Sequence, residues 1–407
     1  MKSLRYGSKT TSNISIRQIS SSSRLVERVS KILDDVRHNG DSAVLKYTRK
    51  FDKVKLLPKE LRVSEQEINN AYQNIDSNFT SSIKVAIDNV RRFYKRRIPK
   101  TVKVRAEEGV YLAEKIRPIE SVGIYVPAGT APLVSTVYMT VIPAQLAGVE
   151  NIYLMTPPNE HKTVNPYILA VADQLNVKKV FKVGGAQAIA AMAYGTKSIP
   201  RVDKIVGPGN KFVAEAKRQV FGYCDIDMIA GPTELVILAN DQTDLSFIIA
   251  DMKAQSEHAQ GISILITTSK RHVDIIKKLS MKGFVIKIKN IKEGIDLINQ
   301  IAPEHLQIMV KRPERIVKSI KNAGAIFLGP YSPTAIGDYI AGPSHVLPTN
   351  GSARFFSGLG VNDFLKTSHI ISYSRKALEK VSKAGQYIAA LEGLKHHGES
   401  INIRFKE

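Results

Sequence analysis

Short apolar runs alternate with helix-like segments along most of the chain, and this alternation restricts the possible folds more than any other feature. In the first half, Ile152–Met155, Val180–Val183 and Lys204–Val206 are each followed by a turn and a helical pattern. The same order resumes with Leu235–Leu238 and Ser263–Thr267. Strands that alternate with helices predict mainly parallel sheets, covered by helices and joined by right-handed crossovers. We therefore predict an α/β fold with two parallel-sheet domains.

The two ends of the chain lack this alternation. The stretch from Leu25 to Phe51 is helical in pattern. Its apolar residues recur near helical spacing from Leu25, and His38-Asn39-Gly40 breaks the pattern. The tail from about Lys376 is also helical in pattern. It has too few apolar residues to stand alone, so we expect it to pack elsewhere, for example on a partner chain.

Length and composition exclude several classes of protein. With 407 residues, 43% of them apolar, the chain is long enough for two or more domains and too apolar to be disordered. No run reaches the roughly 18 apolar residues that a membrane helix needs. The stretch from Met1 to Ser23 is polar and lacks the apolar core of a signal peptide. We expect a cytoplasmic protein with no membrane partner.

A formal net charge of +22 raises the alternative of a nucleic-acid-binding protein. Basic and aromatic residues are interleaved most densely from Arg91 to Arg105. Lys and Arg are nevertheless spread along the whole chain, and no known nucleic-acid motif frames them. We interpret the charge as a solvated basic surface that could also attract an anionic nucleotide, and we expect no nucleic-acid partner.

A second alternative is an NAD-linked enzyme that works through a cysteine thioester, as aldehyde dehydrogenases do. Cys224 is the sole cysteine, so it would have to be the nucleophile, and an internal disulfide is excluded. Its surroundings, F-G-Y-C-D-I-D, contain no His that could activate the thiol. A small buried apolar side chain is the preferred interpretation of Cys224.

Three turns that contain glycine follow predicted strands, at Pro127–Pro132, Gly184–Gln187 and Gly207–Asn210. Each brings backbone amides to a helix start, where an anion can bind. In a parallel sheet such turns lie together at the carboxyl edge, where ligands usually bind. The G-x-G-x-x-G dinucleotide fingerprint is absent. A nucleotide site is therefore plausible, with ordinary structural turns as the alternative.

Acidic and imidazole side chains concentrate in two motifs of the second half. Glu304 and His305 belong to A-P-E-H-L, and Asp338 and His345 belong to G-D-Y-I-A-G-P-S-H-V-L-P-T. Both types transfer protons, and His does so near neutral pH. Adjacent residues of an extended segment point in opposite directions, so a site that uses Glu304 and His305 together requires a bend. Alone, Glu304 and His305 fit a surface Glu and a hydrogen-bonded His equally well, and a lone acid or His such as Asp338 or His345 is usually structural or solvated.

Four residues together could hold one divalent metal ion, namely Gln255, His258, Asp338 and His397. Gln255 and His258 are three residues apart at a predicted helix end and so share one face. Imidazole nitrogen with amide and carboxylate oxygen suits zinc or manganese. A polar helix end would explain the first pair without a metal.

Eight motifs, in this order, resemble those of the histidinol dehydrogenase family. They are G-I-Y-V-P-A-G-T-A-P, V-G-G-A-Q-A-I-A, V-G-P-G-N, A-G-P-T-E, Q-S-E-H, A-P-E-H-L, G-D-Y-I-A-G-P-S-H-V-L-P-T and E-G-L-K-H-H. The matching stretch runs from about Gly123 to His397. The resemblance implies an enzyme of histidine biosynthesis that oxidises L-histidinol to L-histidine in two NAD-dependent steps, through the aldehyde.

The resemblance also implies a fold of two Rossmann-like, aldehyde dehydrogenase-like domains with helical extensions at both ends. The implied limits are 1–105 for an N-terminal helical region, 106–125 with 234–361 for a metal and catalytic domain, 126–233 for an NAD-binding domain, and 362–407 for a C-terminal helical dimerisation arm. The family forms intertwined homodimers, so the arm would carry Glu392 and His397 into the site of the partner chain.

Residue by residue, the resemblance assigns roles to the side chains described above. His305 is implied as the base that takes the hydroxyl proton while hydride leaves for NAD, and Glu304 as the group that activates water to hydrate the aldehyde. The implied ligands of one zinc ion per subunit, which would orient the substrate, are Gln255, His258, Asp338 and His397. The implied NAD contacts are Tyr125, Gln187 and Asn210. The implied substrate contacts are Thr233, Gln255, His258, His305, Asp338, His345, Glu392 and His397.

Three positions depart from the family pattern. Thr233 stands where Ser is common, and Ala128 stands where Gly is usual beside the Pro127 turn. Thr334 stands where the family usually has Glu, which puts in doubt any role for an acid there.

Overall fold

The computed structural model describes residues 1–5, 22–104, 107–128, 132–258 and 261–405. Within these residues the strands are β1 (Lys2–Arg5), β2 (Val102–Val104), β3 (Val110–Pro118), β4 (Ser121–Tyr125), β5 (Asn151–Thr156), β6 (Val180–Lys182), β7 (Lys204–Val206), β8 (Asp225–Ile226), β9 (Glu234–Ala239), β10 (Ile262–Thr267), β11 (Gly283–Lys287), β12 (His305–Met309), β13 (Ala325–Leu328) and β14 (Leu365–Tyr373). The helices are α1 (Ser23–Phe51), α2 (Glu65–Ala71), α3 (Ser77–Lys95), α4 (Val134–Ala147), α5 (Pro166–Gln174), α6 (Gly185–Tyr194), α7 (Lys211–Val220), α8 (Leu245–Ser256), α9 (Lys270–Ile276), α10 (Ile291–Ile301), α11 (Pro313–Val317), α12 (Thr334–Tyr339), α13 (Arg375–Leu391) and α14 (Lys395–Asn402).

The described chain divides into two compact units. The larger unit comprises Met1–Arg97 and Ile119–Phe364, and the smaller one comprises Ile98–Pro118 and Leu365–Glu407. The larger unit contains two fully parallel sheets with intervening helices. The predicted α/β class with parallel sheets is thus confirmed. Among the described helices, none combines the length and the apolar character that a bilayer crossing requires.

The six-stranded sheet of the larger unit has the order β1-β11-β10-β9-β12-β13. Its inner strand β9 is buried along its whole length. Val236 and Leu238 face one apolar cluster, and Leu235 and Ile237 face a second cluster. Because alternate residues of a strand point to opposite faces, both faces of this sheet are covered. Covering on both faces explains why β9 reads as a continuous apolar run rather than an alternating one.

Strand β1 differs from the predicted helical character of residues 1–105. It pairs in parallel with the edge strand β11, with Leu4 opposite Ile286. Leu4 also packs against the apolar cluster on one face of the sheet. A short edge strand of this kind buries little apolar surface, so its sequence carries almost no periodic signal.

The five-stranded sheet has the order β6-β5-β4-β7-β8. Its central strand β4 ends at Tyr125, just before residue 126, where the predicted NAD-binding domain begins. The domain limits stay predictions. Helices α1, α6 and α7 share one apolar core with this sheet. Helix α1 is interrupted at Gly40, whose φ of 51° and ψ of −129° are not helical, at the break that the sequence predicts.

The smaller unit is built on an antiparallel sheet of order β14-β3-β2. Strand β14 pairs with β3 over its full length, from Leu365 opposite Pro118 to Tyr373 opposite Val110. Helix α13 follows, and its N-cap Ser374 accepts a hydrogen bond from the backbone N–H of Ala377. The predicted helical arm therefore begins with a long strand, and only its second part is helical.

Candidate active site

The predicted proton-transfer residues lie at the amino edge of the six-stranded sheet. Thr233 immediately precedes β9, and Glu304 immediately precedes β12, in which His305 is the first residue. His305 lies opposite Leu235 and Ala325 of the neighbouring strands. Ligands of open parallel sheets usually bind at the carboxyl edge. The site therefore depends on the loops that enter these strands rather than on those that leave them.

Glu304 and His305 are brought together by a turn. Ala302 ends helix α10 in the left-handed conformation, with φ 51° and ψ 62°. The Oε2 atom of Glu304 then lies 3.7 Å from Nδ1 of His305, and Nε2 of His305 lies 3.7 Å from Oδ1 of Asp338. Glu304 and His305 are both buried. The three side chains form a continuous acid–imidazole–acid arrangement.

The pKa values of Glu304 and His305 are both raised in this site. Burial raises the pKa of Glu304, and the neighbouring His305 only partly opposes that effect. For His305, burial favours the neutral ring, but the carboxyl groups of Glu304 and Asp338 outweigh it and raise the pKa. An imidazole between two carboxyl groups is suited to accept a proton from a bound hydroxyl group.

A hydrogen-bonded relay connects Glu304 to one candidate metal ligand. The Nε2 atom of Gln255 donates to Oγ1 of Thr233 at 3.1 Å. The Thr233 hydroxyl in turn donates to the Glu304 carboxyl group, which also accepts from the backbone N–H of Glu234 at 3.1 Å. Because Nε2 of Gln255 is engaged, the orientation of its amide is fixed and Oε1 is left to serve as a ligand. The sequence indicates the residues of this relay but not their connection.

His345 is held by two contacts within the larger unit. Its Nδ1 donates to the backbone carbonyl of Asp338 at 2.9 Å, so Nε2 accepts from the hydroxyl of Thr136 at 3.2 Å. Burial lowers the pKa of His345, in agreement with a neutral ring. Thr136 lies on the buried helix α4 and is absent from the sequence-based set of site residues. No spacing or motif signal marks it, because its role depends on the tertiary contact.

A cavity of about 1020 Å³ adjoins this group and is lined by His305, Asp338 and His345. Aromatic residues also line it, among them Phe93, Phe327 and Phe355. The cavity therefore offers a polar wall for proton transfer and aromatic surface for a flat ring.

The predicted metal ligands are only partly gathered in the larger unit. Gln255 is buried near the end of α8, and His258 follows that helix in an exposed position, next to residues 259–260, which lie outside the described residues. The lowered pKa of His345 comes mainly from burial, and the charge of His258 adds to it. In the described parts of the chain, no group of three or more His, Cys, Asp or Glu side chains is arranged to hold a metal.

The remaining predicted site residues belong to the smaller unit. Glu392 is the C-cap residue of α13, and His397 lies in the first turn of α14. Both are exposed. The assignment of His397 as a metal ligand and of Glu392 as a substrate contact remains a prediction.

The predicted NAD contacts meet at the carboxyl edge of the five-stranded sheet. Tyr125, Gln187 and Asn210 line one cavity of about 520 Å³. The Tyr125 hydroxyl accepts from the backbone N–H of Gly185 at 3.0 Å, and Asn210 caps helix α7. Both polar atoms of the buried Gln187 amide lack a hydrogen-bond partner among the described residues. Of the three predicted turns, the one that begins at Pro127 falls partly on residues 129–131, outside the described residues.

Cys224 does not have the surroundings of a catalytic nucleophile. It is buried, and burial raises the pKa of its thiol to about 12. A thiol that stays protonated at neutral pH is a poor nucleophile.

Comparisons with known proteins agree with the geometry. The family model described as histidinol dehydrogenase matches residues 15–405. The chain belongs to the histidinol dehydrogenase family. The histidinol dehydrogenase of Clostridium acetobutylicum is 43% identical over 98% of this chain and 97% of its own length. That of Listeria innocua is 44% identical over 95% of this chain and 94% of its own length.

A solved structure supports the same assignment. The crystal structure of histidinol dehydrogenase from Elizabethkingia anophelis superimposes with a TM-score of 0.92 at 34% identity, covering 99% of this chain and 98% of that one. Membership confirms the predicted dehydrogenase that acts on a CH–OH group of a small molecule, in histidine biosynthesis. It decides against the thioester enzyme and the nucleic-acid-binding protein as the main function.

Proposed function

We propose that this member of the histidinol dehydrogenase family carries out the NAD-linked, zinc-dependent, four-electron oxidation of L-histidinol to L-histidine through L-histidinal. The observation that carries the proposal is the contact of the buried His305 with the buried Glu304 and the half-buried Asp338, beside a large cavity. A primary alcohol that becomes an acid must lose two hydrides and gain one water, so the site needs a base for the alcohol and a second group for the water. His305 and Glu304 have the chemistry for these two tasks.

His305 is the base in this proposal. Its raised pKa makes it a competent proton acceptor, and its Nε2 atom is on the side of Asp338, away from Glu304. Asp338 and Glu304 stabilise the imidazolium that forms when the alcohol proton arrives. Glu304 then takes a proton from water as the aldehyde is hydrated, and the Thr233 hydroxyl holds its carboxyl group in place.

The 520 Å³ cavity suits NAD as the hydride acceptor. A buried Gln187 amide with neither donor nor acceptor satisfied is costly unless a ligand pairs with it. An amide presents both a donor and an acceptor, as the carboxamide and the adenine of a dinucleotide do. In addition, the cavity lies beside the start of α6, where backbone amides favour an anion.

The donor set suits zinc. Gln255, His258 and Asp338 would supply an amide oxygen, an imidazole nitrogen and a carboxylate oxygen, and a bound zinc ion would orient the amino and imidazole groups of the substrate. Only His258 and Asp338 of this set belong to the His, Cys, Asp and Glu types. A third ligand of these types therefore has to come from another part of the protein. We assign that role to His397 from the arm of a second copy of the chain, in a homodimer.

The aromatic wall of the catalytic cavity supports a substrate with an imidazole ring over a simple aliphatic amino alcohol. Holding such a substrate beside a base can lower the barrier by as much as about 7–11 kcal/mol in the best cases.

The direct test counts NADH formed per L-histidinol, with and without a metal chelator followed by added zinc. The four-electron reaction predicts twice the NADH yield of a reaction that stops at the aldehyde, with loss of activity on chelation and recovery with zinc. A yield that corresponds to a single hydride transfer would contradict the four-electron proposal. Full activity after complete metal removal would contradict the role of zinc.

A further inference from the structure

A carboxyl group with one unpartnered oxygen lines the 520 Å³ cavity of the described residues. Asp52 directly follows the last residue of α1 and lines the cavity together with Tyr125, Gln187 and Asn210. Its Oδ2 atom is buried and has no hydrogen-bond partner among the described residues. No sequence motif marks Asp52, because an acid at a helix end is usually solvated.

A structural role does not explain this side chain. The backbone N–H of Asp52 donates to the Thr48 carbonyl at 2.9 Å and so closes the helix end without help from the carboxyl group. Burial raises the pKa of Asp52 to about 6. The carboxyl group therefore destabilises the folded chain at neutral pH, and groups of this kind concentrate at functional sites.

The chemistry of the cavity identifies the kind of ligand group that Asp52 suits. An ionised carboxylate only accepts hydrogen bonds, and it repels phosphate. Arg28 of helix α1 also lines the cavity and is the group suited to phosphate oxygens. The amide of Gln187 suits a ligand group that both donates and accepts. Ribose hydroxyls are the remaining donors of a dinucleotide, and acidic side chains bind ribose hydroxyls in other nucleotide-binding folds.

We propose that the carboxylate of Asp52 accepts a hydrogen bond from a ribose hydroxyl of NAD in this cavity. The inference depends on the proposed NAD-linked function and adds a specificity-determining residue to it. Asp52 makes no contribution to the catalytic cavity, whose lining does not include it.

The test measures NAD binding by titration calorimetry, independent of turnover. Because Asp52→Ala removes a hydrogen bond to a charged group, NAD should bind about 10- to 100-fold more weakly to this variant. The loss should be smaller for Asp52→Asn. Thermal unfolding should show an unchanged or higher Tm for both variants, because a carboxyl group whose pKa is raised by burial is removed. The matched control is Asp35→Asn on the same helix, since Asp35 pairs with Lys46 and does not line the cavity. Its NAD affinity should equal that of the unmodified protein.

Analogues of NAD that lack one ribose hydroxyl identify the contact. The unmodified protein should bind at least one deoxyribose analogue more weakly than NAD, whereas Asp52→Ala should bind that analogue and NAD equally. Equal discrimination by both proteins would overturn the ribose contact, as would undiminished NAD binding by Asp52→Ala. Failure of the unmodified protein itself to bind NAD would instead overturn the proposed function and this inference together.

Discussion

The proposed role of His305 as a base depends on two carboxyl groups, one near each of its ring nitrogens. Glu304 and Asp338 each lie 3.7 Å from one of its ring nitrogens, inside a buried site. The sequence predicts Glu304, His305 and Asp338 as site residues, but the contact of Asp338 with the His305 ring is visible only in the structure. This arrangement leads to a specific expectation for removal of the base.

In His305→Asn, kcat should fall by about 100- to 10,000-fold, the usual contribution of a general base. Zinc content and L-histidinol affinity should change little, because the ring is assigned to proton transfer and not to metal binding. Stopped-flow measurement of NADH formation gives kcat, and calorimetry gives the affinity. The control is His369→Asn, at an exposed position of β14. Near-normal turnover in His305→Asn would refute the assignment of the base.

Thr233 is expected to act through Gln255 and Glu304. Replacement by Val keeps the shape of the side chain but removes the hydroxyl that accepts from Gln255 and donates to Glu304. Loss of such an outer contact typically weakens metal binding about 10- to 100-fold. Competition with a chromophoric zinc chelator measures the affinity. Thr233→Ser, which restores the hydroxyl, should bind zinc normally; equal affinities in the Val and Ser variants would argue against the relay.

The turns between strands and helices differ in how closely they approach the rest of the fold. Gly207 follows β7 with a φ of +115°, and an added Cβ would overlap the Tyr125 carbonyl oxygen. Gly222 also has a positive φ, of +103°, but an added Cβ would meet nothing within 4 Å among the described residues. The two positions therefore separate backbone strain from steric overlap.

We expect Gly222→Ala to lower the free energy of unfolding by about 1 kcal/mol, the cost of a left-handed conformation for Ala. Gly207→Ala should lower it by more than about 3 kcal/mol and weaken NAD binding as well, because the turn leads into Asn210 at the cavity. Urea denaturation and NAD titration measure the two effects. Similar losses of stability in both variants would show that the Tyr125 carbonyl moves aside freely.

How well an element could be predicted depends on how it is buried. Strand β9 is a continuous apolar run and helix α10 has apolar residues at helical spacing, so their sequences predict them. Helix α4 is missed because it is buried on all sides and therefore lacks a polar face that would mark its period. Strands β1 and β14 are missed for the opposite reason, since their exposed residues resemble those of a loop or a helical arm.

The same physical reasoning applies to the site. Motif types and order predict Glu304, His305 and Asp338, because proton transfer restricts the residue types that can serve. Thr136 and Asp52 could not be predicted, because a hydroxyl on a buried helix and an acid at a helix end become informative only through tertiary contacts.

The assembled molecule is expected to be a dimer in which the arm completes the site of the other chain. Helix α13 exposes Tyr387, Ile388 and Leu391, which are 67%, 56% and 70% accessible. Large apolar side chains on one exposed helix are typical of a contact with another chain. His397 follows on α14.

Mixing His305→Asn and His397→Asn chains tests this arrangement. If each site takes His305 from one chain and His397 from the other, a mixed dimer contains one intact site. Random exchange should then restore about a quarter of normal activity, given a two-fold symmetric dimer. The mixture is assayed after denaturation and refolding together, with each variant refolded alone as the control. No recovery above those controls would indicate that each arm serves its own chain.

The pairing of β3 with β14 has a consequence for biosynthesis. Val110 and Tyr373 are neighbours in this ladder although most of the polypeptide separates them. A ribosome must therefore synthesise nearly the whole protein before β3 gains its second partner. Until then, one edge of β3 stays open to strands of other nascent chains, so chaperone contact late in translation should protect this edge.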